Sequence, residues 1–136
     1  MRYAAFVFLL AALTAPAGAA QSSSSYKTCT AKATTQLALN SCASAEDARV
    51  NAQMNALYAK VLLHAGTQEG GVQKVKAAQA AWIAYRNAAI AAAFPASNKQ
   101  QQYGSMYPMR VNLLYASLTT QHIADLNLLL DSLSGE

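Results

Sequence analysis

Several things are scarce in this 136-residue chain, and each scarcity closes off a class of function. Charged side chains make up 12% of it, and the basic ones (Arg2, Lys27, Lys32, Arg49, Lys60, Lys74, Lys76, Arg86, Lys99 and Arg110) are scattered along the chain. A dedicated nucleic-acid surface is denser and one-sided, so this charge reads as a solvated exterior with no nucleic-acid partner. There is no G-x-S-x-G, no glycine-rich phosphate loop and no metal-ligand spacing. The adjacent carboxylates Glu46 and Asp47 point apart on a helix, which rules out a glycosidase pair. Of the two histidines, His64 falls near a helix C-terminus and His122 lies mid-helix with Asp125 three residues on. Both read as packed or solvated residues and not as catalytic bases. The expectation is a protein that is not an enzyme and uses no cofactor or metal.

Long apolar runs are missing too. The longest, AAFVFLLAAL at residues 4–13, falls well short of the roughly 20 residues a membrane-spanning helix needs. Arg2 precedes it and TAPAGAA follows, with Ala17 and Ala19, or Gly18 and Ala20, at the spacing of a signal-peptidase site. Residues 1–20 therefore read as a secretory signal cut after Ala19 or Ala20. No cysteine stands at the cut to carry a lipid, so the mature chain is expected in the periplasm or the medium with no stable membrane anchor. Setting Arg2 aside leaves a net charge of +3.

Cysteine is limited to Cys29 and Cys42. Two cysteines in an exported chain pair in an oxidising compartment. Two thiolates without a nearby histidine make a poor zinc site, and the spacing is not that of a C-x-x-C redox motif. A bridge closing so short a loop contributes about 3 kcal/mol in the chain-entropy account. One unbroken helix between the two residues would hold them about 20 Å apart, so the chain must reverse between them. The reversal is expected near Asn40–Ser41, with SAED at residues 44–47 starting the next helix from Ser44 as its N-cap.

What is present is helical periodicity. QSSSSY at residues 21–26 reads as polar leader, and residues 21–28 as a flexible tether. Val50, Met54, Leu57, Tyr58, Val61, Leu62 and Ala65 recur at threes and fours up to Gly66. A second helix is expected from Val72 to Ala93, stopping before Pro95. Residues 94–105 read as a long polar loop. A third helix, capped by Ser105 and tolerating Pro108 in its first turn, carries Leu114, Leu118, Leu126, Leu129, Leu130 and Leu133. No alternating run suggests a strand. The fold class is all-α: a small antiparallel bundle of three main helices plus a short N-terminal helix, with one disulfide, forming a single domain over residues 29–136.

One stretch gathers large side chains, QAAWIAYR at residues 79–86. On a helix Trp82, Tyr85 and Arg86 share one side, and both aromatics are expected in the core with Arg86 lying along them. This motif, preceded by C-x12-C and by MNALY (54–58) with Asn55 and Tyr58, and followed by GS (104–105) and SLT (117–119), resembles the lysozyme inhibitor LprI-like domain of bacterial envelope proteins. The resemblance spans nearly the whole mature chain. It marks Asn55, Tyr58, Gln79, Trp82, Tyr85, Arg86 and Thr119 as motif residues. Where such domains carry a second cysteine pair, this chain has Ile90 and Leu114, so burial is expected to hold those helices together. The arginine that commonly follows the leucine-threonine pair is His122 here.

The resemblance implies a protein partner, a lysozyme or muramidase, and inhibition of that hydrolase. The target could be a host lysozyme or a rival bacterium's enzyme. The polar loop framed by Phe94 and Tyr103 is the expected contact, with Lys99 approaching the carboxylates that any such glycosidase carries. The alternative is a structural or adaptor module of the cell envelope.

Overall fold

A computed structural model describes residues 22–135, so the expected signal at residues 1–20 lies outside the described residues. The elements are α1 (Ser24–Lys32), α2 (Gln36–Ala65), α3 (Gly71–Ala93), a five-residue helix α4 (Lys99–Tyr103), a 3-10 turn (Gly104–Met106) and α5 (Tyr107–Ser134). No strand occurs among the described residues. Consecutive long helices run antiparallel, so α2 and α5 run parallel to each other. Their starts meet where the Asn40 amide donates to the Ser105 carbonyl at 3.0 Å, and their ends meet where Ser134 lies 3.4 Å from His64 Nδ1. α2 and α5 pack directly on each other, and α3 lies against both.

The disulfide joins Cys29 to Cys42 with Cα atoms 5.7 Å apart. The reversal this requires lies at residues 33–35, not at Asn40–Ser41. Thr35 is the N-cap of α2, its hydroxyl accepting from the Ala38 N–H at 3.1 Å. Ser44 is consequently interior to α2 and caps nothing, and Glu46 and Asp47 stand in its third turn. Asn40 is also helical, bonded to Gln36 at i,i+4.

The leader is shorter than expected, because α1 begins at Ser24. Ser23 caps it, accepting from the Tyr26 N–H at 3.0 Å while its hydroxyl donates to Glu46 Oε2 at 2.6 Å. Glu46 is buried, and Arg49 grips both of its oxygens at 2.7 and 2.9 Å. Yet α1 has no fully buried residue. A helix of nine residues is too short to persist alone in water. It stays in place through the bridge at one end and the Ser23–Glu46 contact at the other.

The turn between α2 and α3 is set by two glycines. Gly70 takes φ +67°, a left-handed conformation that side chains resist, and a Cβ at Gly71 would stand 2.3 Å from the Ala65 carbonyl oxygen. The backbones can therefore approach closely where α3 starts. The main apolar cluster sits at that end of the bundle, built on Met54, Val61, Ala65, Val75 and Leu126, with Tyr58, Trp82 and Leu130 packed at its edge.

At the other end Phe94 is buried and meets Tyr103 and Tyr107 edge-on at 5.3 Å each. Residues 94–105 are thus no open loop: α4 and the 3-10 turn fold them onto the start of α5. Pro108 stands in the first turn of α5 as expected, but Ser105 is not its cap, since that helix begins from Met106.

The bridge should matter locally more than globally. Reduction, or Cys29→Ser with Cys42→Ser, is expected to lower stability by about 2–3 kcal/mol. Hydrogen exchange should show residues 24–32 losing protection while α2, α3 and α5 keep theirs. Equal loss of protection throughout would show that the whole bundle depends on the bridge.

Candidate functional site

The motif stretch lies on α3 opposite α5. Trp82 is half-buried, and its ring stacks on that of His122 with centroids 3.9 Å apart and planes within 7°. The Arg86 guanidinium lies over the same indole at 4.9 Å and over the Tyr115 ring at 5.1 Å. Stacking against a cation and a second aromatic contributes beyond area alone, about 1 kcal/mol for each contact.

Around this stack runs a chain of polar contacts linking three helices. His122 Nε2 is 2.8 Å from Gln79 Oε1, and the Gln79 amide donates to Met54 Sδ at 3.3 Å. Arg86 Nη1 donates to Asn51 Oδ1 at 3.4 Å, and the Asn51 amide donates to Asp47 Oδ1 at 2.6 Å.

Burial sets the electrostatics. It holds His122 below the ordinary imidazole value of 6.5, Asp125 pulling the other way and Arg86 adding to the effect. Burial likewise raises Asp47, against the Asn51 hydrogen bond and the charge of Arg86. Glu46 is lowered, chiefly by its hydrogen bond from Arg49.

Beside the stack, a cleft of about 280 Å³ opens between α3 and α5. Val75, Ala78, Leu126 and Leu129 form its apolar walls, and Gln79, Trp82, His122 and Asp125 complete it. Among the described residues no three His, Cys, Asp or Glu side chains stand close enough to hold a metal.

Several motif residues lie where the spacing suggested and others do not. Gln79 and Thr119 are buried, Tyr58 is half-buried, and Ile90 is buried with Leu114 half-buried on α5. Tyr85, expected in the core, is 61% exposed. Three residues from Trp82 on the helix, it falls past the edge of the packed side, which Val75, Gln79 and Ile90 define. Asn55 is exposed, and Asn51, one turn earlier, is the asparagine that reaches α3.

Of the three residues expected at a partner, Phe94 is buried, and Lys99 and Tyr103 are half-buried with their polar ends bonded to backbone. Phe94 is 4% exposed, the Tyr103 hydroxyl accepts from the Ala96 N–H at 3.1 Å, and Lys99 Nζ donates to the Phe94 carbonyl. They close residues 94–103 on themselves. Sequence reading missed Asp47, Asn51 and Met54 as parts of the site. Met54 stands in the MNALY motif, whereas Asp47 and Asn51 are signalled only by position, two turns and one turn before it on the helix that faces α3.

Fold and site together define a small, disulfide-pinned helical domain whose motif residues are tied to one another beside a surface cleft. The chain matches the family model of the lysozyme inhibitor LprI over residues 29–126, and it belongs to that family. It is 34% identical to an uncharacterized protein of Rhizobium meliloti (strain 1021), the alignment covering 91% of each chain. No solved structure matches it.

Two outcomes test this geometry. Trp82→Ala is expected to cost about 2–4 kcal/mol, somewhat under a full core truncation because one ring edge lines the cleft, whereas Tyr85→Ala should stay within about 0.5 kcal/mol. Equal effects in urea denaturation would contradict the placement of the two rings.

His122 and Glu46 make stability fall as pH falls, while Asp47, raised by burial, acts the other way at acid pH. His122 is depressed when folded, so its contribution is complete above 6.5 and declines as pH falls below that value. Glu46, also depressed, adds a second loss below 4.5. His122→Phe should flatten the first decline. A slope between pH 7 and 5 unchanged by that substitution would contradict the assignment.

Proposed function

We propose that this protein is exported and inhibits a lysozyme-like peptidoglycan hydrolase by binding it. The supporting observation is the extent of the family match, residues 29–126, which takes in the disulfide, the stack and all of the cleft lining but Leu129. A disulfide fits an oxidising compartment, and residues 1–20 fit a cleaved secretory signal. In this reading the protein is not an enzyme, holds no cofactor and acts by covering its partner. No helix among the described residues is long and apolar enough to cross a membrane.

The burial of Phe94 and the backbone bonds of Lys99 and Tyr103 favour a contact away from residues 94–105. The better surface is the α3–α5 cleft with exposed Tyr85 on the neighbouring side of α3. Aromatic side chains beside a concavity serve as anchors in protein interfaces. Charge bears on the target. A net charge of +3 outside the leader does not steer the chain toward a strongly basic lysozyme, so recognition rests on short-range fit. The same charge favours a second reading, a non-inhibitory adaptor of the cell envelope.

Turbidimetric lysis of cell walls separates the two. The oxidised chain from Gln21 would be titrated into a basic animal lysozyme and into a bacterial muramidase. Saturable inhibition of at least one is expected. No inhibition of either, from protein with a helical circular-dichroism spectrum, would overturn the inhibitor reading and favour the adaptor.

A further inference from the structure

The polar groups of the α3–α5 cleft are matched in an uneven way. The Gln79 side-chain amide faces Met54 Sδ at 3.3 Å. A thioether can only accept, so the amide nitrogen is the end turned toward it. The Gln79 carbonyl oxygen is then the atom 2.8 Å from His122 Nε2. A carbonyl also only accepts, so Nε2 carries the ring proton. In a neutral imidazole this leaves Nδ1 as a bare acceptor.

Nδ1 looks toward Asp125, whose Oδ2 stands 3.9 Å away with its side chain 72% exposed. That distance is too long for a hydrogen bond, and two acceptors cannot satisfy each other in any case. Among the described residues no lysine or arginine pairs with Asp125. The cleft therefore presents two convergent acceptors and one full negative charge beside the apolar walls of Val75, Ala78, Leu126 and Leu129. A hydroxyl would satisfy one acceptor and leave the charge. A ligand that answers all of it carries several N–H donors and a positive charge on an apolar stem.

We infer that the cleft receives a lysine or arginine side chain of the partner protein, its N–H groups bridging His122 Nδ1 and the Asp125 carboxylate while its methylenes lie along the cleft walls. Such a contact supplies two charge-assisted or ring-nitrogen hydrogen bonds from one group. It also gives an overall basic protein a local site for a basic partner. The inference rests on the reading that the partner is a protein, and it supplies the recognition chemistry that the net charge lacks. The competing occupant is a proton on Nδ1. The charged groups that bear on that proton are Asp125 on the same helix, which favours it, and Arg86 from α3, which opposes it; α2 presents the uncharged Met54 here.

The test uses the full oxidised chain from Gln21, labelled with nitrogen-15. The sequence holds one tryptophan, so the indole N–H resonance of Trp82 reports on the cleft without ambiguity. Nα-acetyl-lysinamide is the probe, and Nα-acetyl-norleucinamide, which lacks the ammonium, is the control. A saturable shift of the indole resonance is expected, with a dissociation constant on the order of millimolar for so small a ligand. Asp125→Asn, a substitution at an exposed position, should weaken it about threefold or more, and the control should produce no saturable shift. No saturable shift with the lysine probe, or one equally strong in Asp125→Asn or with the norleucine control, overturns the inference.

The lysis assay run beside it reports on the inhibitor reading separately. Inhibition without a lysine-dependent shift would leave that reading standing and remove the cleft. A lysine-dependent shift without inhibition would do the reverse.

Discussion

The stack of Trp82 on His122, with Arg86 over the same indole, is the contact that orients α3 against α5 and shapes the cleft between them. Ten of the 23 residues of α3 are alanine, and only Val75, Gln79 and Ile90 are fully buried on it. A helix with so little apolar volume cannot hold a long seam by burial alone. The indole and the guanidinium supply the missing surface, and each does so in a defined orientation. That orientation fixes where Gln79 meets His122, and therefore which ring nitrogen is left facing the cleft. The same contacts that hold α3 shape the concavity proposed as the binding surface.

The two ends of the bundle are secured by different means. Close glycine-mediated approach and the aliphatic cluster around Val61 and Leu126 hold the end where α2 turns into α3. At the other end the aromatic group of Phe94, Tyr103 and Tyr107 anchors the connection into α5. α1 stands outside this division, attached by the disulfide and by a serine that caps its own helix while bonding Glu46 on the next. Ile90 is buried on α3 and Leu114 half-buried on α5.

Much of this was legible before the fold was known, and the misreadings share a cause. The ends of α2 and α3 follow from Gly66 and from Pro95, because glycine and proline act on the backbone locally. The disulfide and the helical class follow from cysteine count and periodicity. The start of α2 was misplaced because SAED offers a plausible cap, yet Thr35 caps as well and leaves room for nine more helical residues. Choosing between two competent caps takes the tertiary contact of Asn40 with Ser105, which no local pattern reveals. Tyr85 was assigned to the core because it lies three residues from Trp82, but a packed strip as narrow as that of α3 excludes it. Lys99 and Tyr103 looked available because polar, aromatic loops often are. Their partners, the Phe94 carbonyl and the Ala96 N–H, are backbone groups that a sequence does not display.

The proposed function rests on a narrow strip of α3 and α5. Membership of the lysozyme inhibitor LprI family gives the class of partner, and the cleft beside the stack gives the proposed means of recognising it. The central physical claim is that Trp82 and His122 act as a unit in holding α3. A double-mutant cycle measures that directly, with Trp82→Leu, His122→Leu and the double variant compared by urea denaturation. The account predicts a coupling of about 1 kcal/mol or more between the two positions. Additivity within about 0.3 kcal/mol would contradict it and show α3 held by other contacts.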